Sequence, residues 1–125
     1  QWEYACRAGT KTKFSWGKDI TPKLANYRDS ALEKTAEVGS YAPNPWGFFD
    51  MHGNVWEWCA DWYYNYSNGS EIDPIGPKTG TRRVTRGGSW FLGGDSARSA
   101  ERNYGTRPPD FRKGNVGFRV SLQKQ

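Results

Sequence analysis

The chain has 125 residues, the size of one domain, and 16% of them are aromatic, which excludes a disordered polymer even though only 35% are hydrophobic. The net charge of +5 comes largely from arginines late in the chain, but they form no basic run and accompany no nucleic-acid motif, so no nucleic-acid partner is expected. No apolar stretch is long enough to cross a membrane.

Fifteen glycines and seven prolines predict irregular, loop-rich backbone, with short elements wrapped on aromatic side chains. Residues 1–9 read as a helix end. Trp2, Ala5 and Cys6 share one face, Glu3 and Arg7 form an i, i+4 pair, and Gly9 stops the helix. Residues 10–41 have weak periodicity and read as loops anchored by Phe14, Trp16, Ile20, Leu24 and Tyr27, with a short strand at 36–41. Asn26 and Asp29 suit turns or oxygen ligation there. Pro43-Asn44-Pro45 leads by an extended turn into the densest stretch, WGFFDMHGNVWEWCADWY at 46–63. That stretch holds four of the seven tryptophans, the single histidine and the single methionine.

A turn is expected at residues 50–53, where Asp opens and Gly closes DMHG. Residues 55–62 fit either period, and their Val and Trp content favours a strand. A polar loop follows to residue 80. Residues 82–91 read as a strand interrupted by Gly87-Gly88, 92–95 as a Gly-rich turn, and 96–104 as helical or extended. Residues 116–122 predict a last strand with Val116, Phe118 and Val120 on one face. There is no repeat and no interior linker, so residues 1–125 form one domain.

Asp50, Glu57 and Asp61 lie within the aromatic stretch, where a carboxylate is costly unless paired, hydrogen-bonded or metal-bound. One histidine and two distant cysteines do not supply zinc ligand pairs. His52 in a turn reads as structural rather than as the base of a Ser/His/Asp triad. Cys6 and Cys59 sit in apolar contexts and read as core. Calcium suits the oxygen-rich turn, with Asp50 and Glu57 bracketing Gly53 and Asn54. Equally, Glu57 pairs with an arginine and Asp50 only caps the turn.

The phrases WEYACRAG, the Ala-Asn ending at Asn26, NPWGFFDMHGNVWEWCADWY, RVTRGGSW and GFRV resemble, in order and across nearly the whole chain, the formylglycine-generating-enzyme (sulfatase-modifying factor) family. The resemblance implies an α+β, irregular, C-type-lectin-like fold. It implies a structural calcium held by the Asp50 side chain, the Gly53 and Val55 carbonyls and the Glu57 side chain, and a second at Asn26 and Tyr27, where the stretch supplying further ligands is shortened. The family's copper-binding cysteines follow the GGS motif; their positions fall here at about Leu92 and Ala97, so copper and formylglycine-generating activity are not expected from this chain alone. Family domains are usually more than twice as long, so the resemblance implies an N-terminal half absent here, or supplied by a partner chain or self-association. In several family branches a groove near GGSW holds the ligand. Here it would offer Trp56, Ser89, Trp90 and Arg98 to a peptide or small polar ligand, unless the tryptophans are simply core. The expected function is therefore a calcium-stabilised, non-copper binding or accessory module, or else part of an oxidoreductase whose catalytic residues lie elsewhere.

Overall fold

The computed structural model describes residues 1–66, 69, 72, 74, 76–104 and 112–121. Helix α1 spans Trp2–Arg7 and carries Cys6 into the core. The predicted Glu3–Arg7 pair forms at 2.9 Å. The helix ends at Ala8 in the left-handed region, one residue before the expected glycine. A long irregular stretch follows, with one 3-10 turn at Arg28–Ser30. The strand expected at 36–41 is instead a turn: Gly39 takes φ +80°, Ser40 N–H donates to the Glu37 carbonyl, and Gly39 N–H donates to the Asp50 carboxylate.

Among the described residues four short strands make one sheet: β1 Trp56–Trp62, β2 Arg83–Arg86, β3 Arg102–Tyr104 and β4 Val116–Gly117, in the order β3-β2-β1-β4. β1 takes the strand reading that its Val and Trp content favours. It pairs antiparallel with β2, Glu57 opposite Arg86, and parallel with β4, Trp56 opposite Val116. β2 ends where Gly87 and Gly88 turn to φ +94° and +76°. A Cβ on Gly88 would lie 2.8 Å from the Ser96 carbonyl, so only glycine permits that approach. The last strand is shorter than its alternation predicts. Phe118 and Val120 are 76% and 86% exposed: β4 lies at the sheet edge, and among the described residues no layer covers their face. Leu122 and Pro108-Pro109 lie outside the described residues.

The core is small and polar. Cys6, Phe14, Ala25, Met51, Trp56 and Val84 are buried beside Asn26, His52, Asn54, Glu57, Ser89 and Ser99. Buried polar groups need internal partners, so hydrogen bonds in the loops take over work that apolar layers do in larger domains. The result is a small mixed sheet with few helices, an α+β fold.

Candidate functional site

The turn that enters β1 is built from left-handed residues: Asp50 (φ +54°), Gly53 (+84°) and Asn54 (+62°). A Cβ on Gly53 would meet the Asn26 carbonyl at 2.3 Å. Asn54 fastens three segments. Its N–H donates to the Asn26 carbonyl at 2.7 Å, and its carbonyl accepts from Trp90 N–H at 2.9 Å. Its side-chain oxygen accepts from the Asn26 amide and from Ala36 N–H. Asn26 also accepts from Ser30 Oγ at 2.7 Å. The Tyr27 carbonyl accepts from Ser30 Oγ and N–H. The oxygens of the Asn26–Tyr27 pair that these bonds engage are thus already satisfied by protein.

Glu57 is the second residue of β1 and is 4% exposed. Its carboxylate accepts from Trp2 Nε1 at 2.6 Å, from Arg119 Nε at 2.6 Å and from Arg119 Nη2. Arg119 Nη2 also donates to the Phe49 and Asp50 carbonyls at 3.0 and 3.5 Å. Burial alone would lower the Arg119 pKa, but the Glu57 hydrogen bond and charge outweigh it, so the guanidinium holds its proton above its ordinary value. Of the two open alternatives at this turn, the arginine pair is the one formed in this arrangement. The Glu57 oxygens that a calcium ion would seek face a protein cation, so an ion there would have to displace Arg119. One group remains unmatched: Asp50 Oδ1 is buried without a partner, while its other oxygen accepts from Gly39 N–H at 2.7 Å. Gly53 N–H donates to the Gly87 carbonyl, and half-buried Val55 packs on Gly117.

The groove residues separate. Trp56 is 5% and Ser89 1% exposed, so both are packed in the core in this arrangement. Trp90 is half-buried, with its indole N–H on the Gly114 carbonyl at 3.2 Å. Arg98 reaches solvent and donates to the Asp95 carbonyl and to Glu101. A shallow cleft, open to solvent, is lined by residues including Ser15, Trp16, Tyr41, Asn44, Asp50 and His52; its interior space of about 10 Å³ is no more than one water molecule needs.

A second buried cluster joins His52 and Cys6, which the sequence marks as structural and core. His52 Nδ1 lies 2.7 Å from the Ala97 carbonyl, which can only accept, so Nδ1 carries the proton. Nε2 then accepts from Ser15 N–H and Oγ at 3.1 Å each, with the Cys6 sulfur at 3.5 Å. Burial pushes the Cys6 thiol up to about 12 and draws the His52 pKa down. This is a neutral structural hub, and Cys6 does not supply a nucleophile. The lone histidine, between a methionine and a glycine in an aromatic stretch, was the signal for it. The Arg119 partnership had its signal in GFRV.

Compared with known proteins, residues 1–124 match the Sulfatase-modifying factor enzyme 1-like domain. A formylglycine-generating enzyme of Streptomyces coelicolor is 40% identical over 141 residues, covering 97% of this chain and 44% of that protein. Among solved structures, Treponema denticola variable protein 1 aligns with TM-score 0.84 and 37% identity, covering 94% of this chain and 43% of that one. PvdO from Pseudomonas aeruginosa aligns with TM-score 0.78 and 32% identity, covering 94% and 48%. The chain spans less than half the length of each.

Proposed function

This chain belongs to the sulfatase-modifying factor enzyme 1-like family, and we propose that it serves there as a binding or accessory module on a C-type-lectin-like frame, not as a copper oxidase. The observation that carries this reading is the segment after RGGSW. The positions that the resemblance assigns to copper-binding cysteines hold Leu92 and Ala97. Ala97 is 1% exposed and spends its carbonyl on His52. The two cysteines present do not replace them: burial raises Cys6 to about 12 and Cys59 to about 11, so neither is a thiolate near neutral pH. Of the four residues assigned to the groove, Trp90 and Arg98 are the two that reach the surface and could meet a peptide or small polar ligand. Mass spectrometry of a cysteine-containing sulfatase peptide, incubated with this chain and copper, tests the proposal. Unchanged cysteine is expected, and conversion to formylglycine would overturn it.

Calcium enters this proposal only as an ion that displaces Arg119 from Glu57. Asp50 Oδ1, buried and unpartnered, supports it. A rise in Tm with calcium, absent in Glu57→Ala, is the expected result; a Tm that stays flat across the titration removes calcium from the reading.

One observation favours a second reading, in which the domain is completed by further polypeptide, of the same chain or a partner, that carries oxidoreductase residues. Tyr4 and Trp46 meet edge-to-face at 4.9 Å and are 72% and 46% exposed, with Phe48 and Phe49 exposed beside them in sequence. Exposed aromatic rings gathered in this way suit a packing surface. Sedimentation of this chain should show self-association that Trp46→Ser/Phe49→Ser abolishes; a monomer at every concentration would remove self-association as the means of completion.

A further inference from the structure

Seven of the described arginines fall into two kinds. Arg7, Arg28, Arg86, Arg98 and Arg119 each sit within 4 Å of a carboxylate. Arg82 and Arg102 pair with no carboxylate of any described residue; aromatic rings hold them instead. Arg102 Cζ lies 3.6 Å from the Tyr66 ring centre and 4.9 Å from that of Tyr63. Tyr63 packs on Tyr104 at 5.0 Å, and Arg82 lies over Tyr104 at 5.6 Å. The five residues form one continuous ladder, Arg82–Tyr104–Tyr63–Arg102–Tyr66, across the β3 edge of the sheet and the end of β1. Tyr66 and Tyr104 are 64% and 44% exposed.

A guanidinium stacked on a ring keeps the N–H edges of its plane for other partners. With no described carboxylate competing, the ladder presents two preoriented forks, and Tyr and Arg are the residues that dominate protein recognition surfaces. From this we propose that the ladder docks an acidic peptide segment, two of whose carboxylates meet Arg82 and Arg102. Single-stranded nucleic acid fits less well. It needs open ring faces for stacking, and here Arg102 covers Tyr66 and Tyr63 while Tyr63 and Tyr104 are tilted by 58°. The site is separate from Trp90 and Arg98, and it stands whether or not the chain has copper chemistry.

The test is fluorescence anisotropy of this chain with three labelled probes of equal length: an alternating Glu-Gly peptide, a Lys-Gly peptide and a thymidine oligonucleotide. Saturable binding of the Glu-Gly peptide is expected, weakened about tenfold by Arg102→Ala and by Arg82→Ala, less by Arg102→Lys, and unaltered by Arg28→Ala, which touches no residue named in the ladder. Near-ultraviolet circular dichroism establishes that each variant is folded, and Arg102→Lys keeps the charge while losing the fork. Three results would overturn the proposal: no binding of the Glu-Gly peptide up to about 1 mM, an equal loss in Arg28→Ala, or oligonucleotide binding as tight and as sensitive to the same variants.

Discussion

Replacing Arg119 by methionine should be the most informative single change in this chain. Methionine keeps an unbranched stem and removes the cation. Glu57, with a side chain 6% exposed, would keep only the Trp2 indole N–H of its three donors. Breaking a buried pair from one side leaves an uncompensated charge at a cost of about 3–5 kcal/mol. The Arg119 side chain is 33% exposed, so water softens the loss and the lower end applies, about 3 kcal/mol. For a domain of this size that corresponds to a fall in Tm of roughly 10 °C. The double variant Arg119→Met/Glu57→Gln has no charge to strand and should recover more than half of the loss, since a neutral amide in that position costs far less than a carboxylate. Urea unfolding of the three proteins, read at constant m, measures both numbers. A loss below about 1 kcal/mol in the single variant, or no recovery in the double, would refute the assignment of Glu57 to Arg119.

Gly53→Ala should cost at least about 3 kcal/mol in urea unfolding, because the new methyl would sit 2.3 Å from the Asn26 carbonyl at φ +84°. Stability should fall as pH drops below 6.5, the ordinary histidine value. The folded pKa of His52 is lowered, so the unfolded chain takes the proton first; protein unfolded at about pH 7.5 and about pH 5.5 should differ, and His52→Gln should flatten that slope. Cys6, fully buried with its thiol near 12, should react with iodoacetamide at least about a hundredfold more slowly than a free thiol until the chain unfolds, as peptide mapping would show.

Local pattern made parts of this fold legible. The spacing of Trp2, Ala5 and Cys6 marks α1, and the Val and Trp content marks β1. Alternation misled at residues 116–122, because a period of two reports a strand but not whether anything covers its face. Phe118 and Val120 have the pattern and stand in solvent. At residues 36–41 the left-handed Gly39 outweighed the apolar neighbours. At the site, the cost of a carboxylate among tryptophans pointed to Glu57, yet its partner lies 62 residues away, beyond any local rule. Trp56 and Ser89 could not be divided between core and groove, because an aromatic or hydroxyl side chain serves either and only burial decides. Asn54 was readable only as a turn residue. Its hold on residues 26, 36 and 90 is a property of the assembled loops.

The parallel pairing of β4 with β1 also sets an order of events. Trp56 meets Val116 and Glu57 meets Arg119, so β1 finds its charge partner only after some sixty more residues have been made. Until then Glu57 must stay hydrated, and the tryptophans on either side of it stay hydrated with it. Contacts of such sequence separation are slow to close and leave apolar surface open meanwhile. Until residue 119 has been made, the nascent chain therefore keeps this apolar surface open and lacks the cation that pairs with Glu57.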